Sequence, residues 1–195
     1  MSFVSIFFLL FIISFLGIFY LVPSRIRWLF VLIGSYVFYA FEDPIFLLPL
    51  FISTSVDYYS AIKIEKANSK LRKKLFFSLS ILTNIGMLAY FKYADFIKSL
   101  LLEGVELSYT GFNEGLYAIP IGISFYTFQT LGYTIDVYRG ERSAERHLGY
   151  FAVFVSFFPQ LIAGPIEKSS KLLPQLKRFE SVRWKKIKVF EATGL

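Results

Sequence analysis

Six apolar runs follow one another along the chain, and short polar or charged segments separate them. The runs cover residues 3–22, 28–41, 45–62, 75–93, 116–138 and 148–166. A helix rises about 1.5 Å per residue, so that about 20 apolar residues cross the hydrocarbon core of a bilayer. The pattern therefore predicts an all-α polytopic integral membrane protein, in which the first five runs form about five spanning helices.

The sixth run differs from the others because it contains helix breakers. Pro159 removes a backbone donor, and Gly164 followed by Pro165 is a poor continuation of a helix. Free backbone carbonyls are costly in hydrocarbon unless protein or a wet cavity surrounds them. A plain span would also put the basic residues that follow it on the side opposite to the other basic segments. We therefore predict a broken or re-entrant sixth helix, with a plain span as the alternative.

Composition supports a membrane chain over an ordinary soluble domain. Of the 195 residues, 55% are hydrophobic, 20% are aromatic and only 18% are charged, whereas soluble domains carry about 25% charged residues. The absence of Cys excludes thiolate chemistry, and a single His, His147, excludes a His-rich metal centre within these residues. No repeat or linker divides residues 1–195, which we expect to form part of one membrane domain.

The net charge of +7 is unevenly distributed. Residues 63–74 contain six cations and one acid, whereas residues 94–115 are acidic on balance. Cytoplasmic segments collect Lys and Arg, so this alternation predicts an N-terminus outside the cell. In the basic tail, Trp184, Ile187 and Phe190 recur at intervals of three, which favours a helix lying on the membrane surface. Nothing in the sequence indicates a basic fold that reads nucleic acid.

A few polar residues interrupt the apolar runs and are the candidates for chemistry. Gln129 lies within the fifth run and Gln160 within the sixth, while Asp136 and Arg139 are spaced to share one helical face as an acid–base pair. Polar groups at membrane depth normally face the bundle interior or a cavity. These residues either form hydrogen bonds between helices or line a substrate channel. Asp57 is expected to be an interfacial or structural acid, and His147 a solvated surface residue.

Two long stretches carry a family resemblance. Residues 120–140 (PIGISFYTFQTLGYTIDVYRG) and 157–166 (FFPQLIAGPI) closely resemble signature stretches of the membrane-bound O-acyltransferase family. Their wording is similar to the branch of that family that O-acetylates alginate. Residues 35–40 (SYVFYA) and 90–94 (YFKYA) also resemble the N-terminal half of that branch. The resemblance covers essentially the whole chain.

This resemblance implies transfer of an acyl group from a cytoplasmic thioester to a hydroxyl of an extracytoplasmic polysaccharide, through a central tunnel. Acetyl-CoA is the implied donor substrate, with no bound cofactor and no metal. A periplasmic protein that accepts the acetyl group is an implied partner, besides the lipid bilayer and the polysaccharide. The residues assigned to the tunnel or the donor side are Gln129, Asp136, Arg139, Gln160, Gly164 and Pro165.

The sequence departs from the family at the catalytic residue. The essential His of the family belongs to a more C-terminal helix, and His147 does not match it because it lies between the two signature stretches. We therefore assign no catalytic residue, and we expect the chain to be an N-terminal fragment that is inactive alone. The alternatives are a non-catalytic membrane scaffold or remnant and, on the strength of the broken sixth run, a transporter.

Overall fold

The computed structural model of the chain describes residues 6–101, 120, 122–163 and 167–178. All regular elements in these ranges are helical, which confirms the predicted all-α class. The α-helices are α1 (Ile6–Leu21), α2 (Arg27–Glu42), α3 (Leu47–Glu65), α4 (Lys70–Leu101), α5 (Ile123–Arg139), α6 (Leu148–Ser156), α7 (Phe158–Ala163) and α8 (Ser169–Lys177). Short 3₁₀ turns at Ser24–Ile26 and Pro44–Phe46 precede α2 and α3.

Two helical segments of the described residues are long and apolar enough to cross a membrane. They are Pro44–Glu65, with 22 residues, and Lys70–Tyr93, with 24 residues, each with a mean hydropathy of 1.4. Shorter apolar helices occupy Phe8–Leu21 and Leu148–Gln160. These helices agree with a membrane protein, while the number of about five spans stays a prediction.

Some helix ends differ from the predicted ones. Helix α4 extends to Leu101, past the predicted end of the fourth run at Tyr93, because no Pro or Gly interrupts the intervening residues. Helix α5 begins at Ile123, not at residue 116, because Pro120 is not helical and Gly122 has a positive φ of 74°. At its other end, Gly140 has a φ of 79°, and its N–H donates to the carbonyl of Val137.

Helix α3 is central to the packing of the longest helices. It packs along α4 and α5, which also contact each other, while α2 packs on α6. The core on the α6 side is largely aromatic: the ring of Phe158 lies 5.0 Å from that of Phe15 and 5.4 Å from that of Phe38. Phe158 is the first residue of α7 and is 1% exposed. This burial fixes the start of α7 against α1 and α2.

The basic C-terminal part contains a helix that the pattern did not predict. Helix α8 buries Leu172, Leu173 and Leu176 and packs against α6, while its cationic side chains remain exposed. The predicted interfacial helix around Trp184, Ile187 and Phe190 lies outside the described residues. The basic segment therefore begins as part of the helical core.

Candidate functional site

The sixth apolar run is broken, as predicted, but the break lies at Phe157 and not at Pro159. Helix α6 ends at Ser156 and α7 begins at Phe158. Pro159 is the second residue of α7, where its missing N–H is one of the groups that a helix start leaves unpaired in any case. The proline therefore starts the second helix, and the break precedes it. Of the three predicted breakers, Pro159 thus lies just after a break, while Gly164 and Pro165 lie outside the described residues.

Side chains from two other helices satisfy the backbone groups at the break. Gln129 of α5 donates from Nε2 to the carbonyl oxygen of Phe154 at 2.8 Å. The backbone N–H of Phe158, which would pair with that carbonyl in a continuous helix, donates instead to Ser35 Oγ of α2 at 3.5 Å. Gln129 and Ser35 are 3% and 0% exposed. The break is thus held by specific hydrogen bonds in a dry environment.

The two predicted glutamines meet at this break. Gln129 Nε2 lies 3.5 Å from Gln160 Oε1, and both side chains are buried. Gln160 also pairs its backbone N–H with the carbonyl of Phe157 at 3.1 Å. The structure therefore brings together one candidate from each signature stretch.

A small cavity opens beside Gln129, between α5 and the chain that enters α8. Its volume is about 160 Å³. Its wall is formed by Phe128, Gln129, Gly132, Tyr133, Asp136, Glu167, Lys168 and Ser169. The carboxyl groups of Asp136 and Glu167, the Gln129 amide and the Lys168 ammonium give this wall both hydrogen-bond donors and acceptors. The wall therefore combines apolar surface from Phe128 and Tyr133 with a few polar groups.

Asp136 and Arg139 have other partners than each other. Asp136 Oδ2 accepts a hydrogen bond from Ser169 Oγ of α8 at 3.3 Å, and Arg139 Nη1 lies 3.8 Å from Glu141 Oε1. The Arg139–Glu141 pair is exposed on both sides, so it contributes little to stability. Asp136 therefore belongs to the cavity, while Arg139 lies on the surface. Gly164 and Pro165 lie outside the described residues.

A second polar cluster, which we call the Asp57 cluster, lies between α3, α4 and α5. It consists of Ser53, Asp57, Ser80, Asn84, Thr130 and Thr134, and all six residues are 0% exposed. Asp57 Oδ1 accepts from Ser80 Oγ at 2.5 Å, and Asn84 Nδ2 donates to Asp57 Oδ1 at 2.8 Å and Oδ2 at 2.9 Å. Asp57 is thus a structural acid, buried at the centre of three helices.

The sequence contained a signal for this cluster. Asp57 follows Ser53 by one helical turn, Asn84 follows Ser80 by one turn, and Thr134 follows Thr130 by one turn. Polar residues four apart in three apolar runs indicate one polar stripe per helix, and such stripes pair inside a bundle. The stripes were visible, but not the fact that they face each other.

The loop before α6 joins the ends of several helices. Glu145 Oε1 accepts the N–H groups of Arg146 and His147, each at 3.0 Å, while its Oε2 lies 2.6 Å from Lys177 Nζ of α8. Burial raises the pKa of the Glu145 carboxyl, but the Lys177 ammonium and these N–H groups outweigh burial, and the net pKa is lowered. Arg146 forms an ion pair with Glu65 at the end of α3.

His147 has a structural place. It is exposed, and its Nδ1 accepts the N–H of Tyr150 at 3.2 Å, so it caps the first turn of α6. The His147 ring lies 4.9 Å from the ring of Trp28. In the described part of the chain, no group of three or more His, Cys, Asp and Glu side chains is placed to hold a metal ion.

Comparison with curated proteins finds several similar chains. A probable alginate O-acetylase of Azotobacter vinelandii is 40% identical over 173 residues, which cover 88% of this chain and 35% of the relative. A probable alginate O-acetylase of Pseudomonas aeruginosa is 40% identical over 88% of this chain and 33% of the relative. A peptidoglycan O-acetyltransferase of Helicobacter pylori is 34% identical over 76% of this chain and 32% of the relative.

The chain thus spans about a third of the length of these relatives. No family model matches the chain. No solved structure matches it significantly. The relatives are O-acetyltransferases by name, and the aligned region includes most of this chain. These relatives are members of the membrane-bound O-acyltransferase family, which confirms the resemblance carried by residues 120–140 and 157–166.

Proposed function

We propose that this chain is part of a membrane O-acetyltransferase that moves an acetyl group from a thioester to a hydroxyl of a polysaccharide. The observation that carries the proposal is the 34–40% identity to named O-acetyltransferases of alginate and peptidoglycan over most of the chain. Acetyl-CoA, a cytoplasmic thioester, is the proposed donor. Alginate, or a polysaccharide like it, is the acceptor to test first, since both 40% identical relatives are named for alginate.

The broken helix supports a role in the transfer path. Helix breaks at membrane depth place backbone groups and polar side chains where a continuous helix would present only apolar ones. Here the buried Gln129 holds the break and also forms part of the wall of the cavity next to Asp136. A dry path of this kind protects a thioester from hydrolysis while a few amide and hydroxyl groups orient it. We assign the front half of the tunnel to this region.

The proton-transfer step belongs to a residue that we do not assign in this chain. His147 caps α6 and contacts Trp28, so its ring is already used. The 195 residues correspond to about a third of each relative. We therefore propose that they act together with further acyltransferase helices and that they do not turn over acetyl-CoA alone.

The proposed location is the bacterial inner membrane, with the N-terminus outside and a periplasmic protein as the acetyl-accepting partner. The basic segment after the broken helix then lies in the cytoplasm. A Lys177→Cys variant in intact cells tests this topology, and a membrane-impermeant thiol reagent should label it only after the cells are opened. Labelling from outside would show a plain sixth span and refute the re-entrant helix.

A chimeric enzyme tests the function directly. The matching 173 residues of the Azotobacter vinelandii relative are replaced by those of this chain, and acetyl esters on exported alginate are measured in cells that lack their own O-acetylase. We expect the chimera to acetylate alginate and the 195-residue chain alone to leave it unmodified. Acetyl-CoA turnover by the purified chain would refute the proposal that the chain alone is inactive. A stable but inactive chimera would refute the expectation for the chimera and favour a scaffold.

A further inference from the structure

The Asp57 cluster has a charge that no described side chain balances. Asp57 is 0% exposed and makes no ion pair within the described residues. The other members, Ser53, Ser80, Asn84, Thr130 and Thr134, are neutral. An isolated buried carboxylate is strongly disfavoured in a low-dielectric interior, so such groups are paired, coordinate a cation or take up a proton. An ionised Asp57 therefore needs one positive charge to neutralise it.

Four oxygen-bearing side chains lie close together on one side of Asn84, and two of their three separations are longer than ordinary hydrogen bonds. Ser53 Oγ lies 3.4 Å from Asp57 Oδ2 and 2.7 Å from Asn84 Oδ1, and Thr130 Oγ1 lies 3.4 Å from Asn84 Oδ1. Hydroxyl hydrogen bonds normally measure about 2.5–3.0 Å, so both 3.4 Å separations are long for such bonds. Six oxygens placed octahedrally at about 2.4 Å from an ion are about 3.4 Å from their neighbours.

A fully buried hydroxyl nearby supports this interpretation independently. Thr127 Oγ1 has no hydrogen-bond partner, and Thr127 is 0% exposed. Thr127 lies seven residues before Thr134, on the same face of α5, and its carbonyl oxygen is 3.2 Å from Thr130 Oγ1. Buried polar atoms without a partner are rare and indicate a missing ligand or water. The Thr127 hydroxyl is thus a further candidate oxygen on this face of α5.

We propose that Asp57, Ser53, Asn84 and Thr130 bind a monovalent cation of the size of Na⁺ between α3, α4 and α5. Asn84 keeps its Nδ2 on Asp57 and offers Oδ1 to the ion, so the amide does not need to reverse. Thr127 completes the shell. The ion links three helices, and one of them carries Gln129 on another face.

Charge and size select the ion. One carboxylate and one monovalent ion leave the buried site neutral, whereas a divalent ion would leave it with a net positive charge that no described side chain offsets. Protein sites for Ca²⁺ and Mg²⁺ are built from carboxylates, carbonyls and waters, and Mg²⁺ keeps several waters, whereas this cluster is fully buried and contains a single carboxylate. The narrow spacing of the oxygens favours Na⁺ over the larger K⁺.

The test is a thermal unfolding titration of the purified 195-residue chain in nanodiscs. Choline chloride is replaced stepwise by NaCl at constant ionic strength, and KCl serves as a second series. A ligand that binds only the folded state raises the unfolding temperature in a saturable way. We expect such a rise with NaCl, a smaller one with KCl, and none in an Asp57→Asn variant.

Matched variants on α5 locate the ion. Thr130→Val removes a proposed ligand and should weaken the apparent Na⁺ affinity by about 10-fold or more, as the loss of supporting groups does at other metal sites. Thr134→Val makes the same change one turn further on, at a hydroxyl that lies 3.3 Å from Ser80 Oγ and is not a proposed ligand. Thr134→Val should leave the Na⁺ affinity unchanged within the error of the titration.

An infrared difference spectrum, NaCl minus choline chloride, provides a readout independent of stability. We expect a shift of a carboxylate band that disappears in Asp57→Asn. An unfolding temperature that stays the same when NaCl replaces choline chloride would overturn the proposal. So would a Na⁺ response that persists unchanged in folded Asp57→Asn. A protonated carboxyl band at neutral pH that Na⁺ does not alter would show that a proton supplies the charge, and would also overturn it.

Discussion

The two polar faces of helix α5 solve different problems. One face, with Thr130 and Thr134, lies against two continuous helices, α3 and α4, and its hydroxyls lie 3.4 Å from Asn84 Oδ1 and 3.3 Å from Ser80 Oγ in the Asp57 cluster. Another face presents Gln129 to the interrupted helix pair α6–α7, where its amide meets a backbone carbonyl. The first face therefore helps to surround a buried carboxyl group, whereas the second satisfies a backbone carbonyl at a helix break. One helix can do both because its polar residues recur at two different angular positions.

The difference teaches where substitution is tolerated. A side-chain network can exchange one partner for another of similar shape, since each member contributes only part of the hydrogen bonding. A broken helix offers a fixed carbonyl that only a donor of the right length can reach. We therefore expect a conservative substitution of Asp57 to lower the free energy of unfolding less than a substitution of Gln129. Truncation of Asp57 should lower it most.

Truncation of the Asp57 cluster gives the largest expected loss. Asp57→Ala leaves the Asn84 amide and the Ser80 hydroxyl facing a cavity, which should lower the free energy of unfolding by about 3 kcal/mol. Asp57→Asn keeps the shape and one acceptor, and we expect about 1 kcal/mol. Denaturant titrations in mixed micelles at equal salt measure both. Equal losses for the two variants would show that the charge, and not the network, sets the stability.

Loss of the amide at the helix break comes next. Gln129→Leu leaves the Phe154 carbonyl unpaired in a dry environment, and we expect a loss of about 2 kcal/mol. In the chimera, the same change should also reduce alginate acetylation, because it removes the hydrogen bond that holds the helix break beside the cavity. Gln175→Leu, at an exposed position of α8, is the matched control and should change neither quantity. Full activity of the Gln129→Leu chimera would separate the break from the transfer path.

The sequence predicted local properties of the helices better than contacts between residues that are far apart in the chain. The all-α class and the break in the sixth run follow from hydrophobic run lengths and from Pro159, which are local properties. The position of the break does not follow, because it is set by the burial of Phe158 against α1 and α2, by the hydrogen bond that Gln129 donates to the Phe154 carbonyl and by the one that Ser35 accepts from the Phe158 N–H. These contacts join residues that are far apart in the chain.

The same limit explains the pairings that the sequence did not reveal. Spacing placed Asp136 and Arg139 on one helical face, but it could not show that Ser169 of α8 offers Asp136 a hydroxyl or that Glu141 lies near Arg139. The sequence indicates only a basic tail at helix α8, because the leucines of this helix are spread among lysines. A charged segment hides an apolar stripe when composition is averaged over it.

The close contact between α6 and Trp28 provides a test with a smaller expected effect, which is steric. A methyl group on Gly149 would overlap the ring of Trp28, which also contacts His147 and Tyr150. Gly149→Ala should therefore cost about 1.5 kcal/mol. Gly86→Ala in α4 meets no atom within 4 Å and should be neutral or stabilise by up to about 1 kcal/mol. Similar effects of both changes would show that Trp28 moves aside.

The smallest expected effect is a pH dependence at the loop before α6, where Glu145 forms an ion pair with Lys177 of α8. The lowered pKa of Glu145 means that the ionised carboxyl stabilises the fold, so its contribution is present above the ordinary Glu pKa of 4.5 and is lost as the pH falls through the lower native value. Lys177→Met removes the cation 2.6 Å from Glu145 Oε2 and should cost about 0.5–1 kcal/mol at neutral pH, because Lys177 is half exposed.

The pH profile separates this pair from a general loss of charge. In Lys177→Met, the pKa of Glu145 should rise, so the stability difference from the unsubstituted chain should shrink below pH 4.5 as the carboxyl becomes protonated in both. Lys171→Met removes an exposed cation from the same helix and should leave the profile unchanged. Unfolding titrations from neutral to acid pH measure the difference. A constant loss at every pH would mean that Lys177 acts through packing of α8 and not through Glu145.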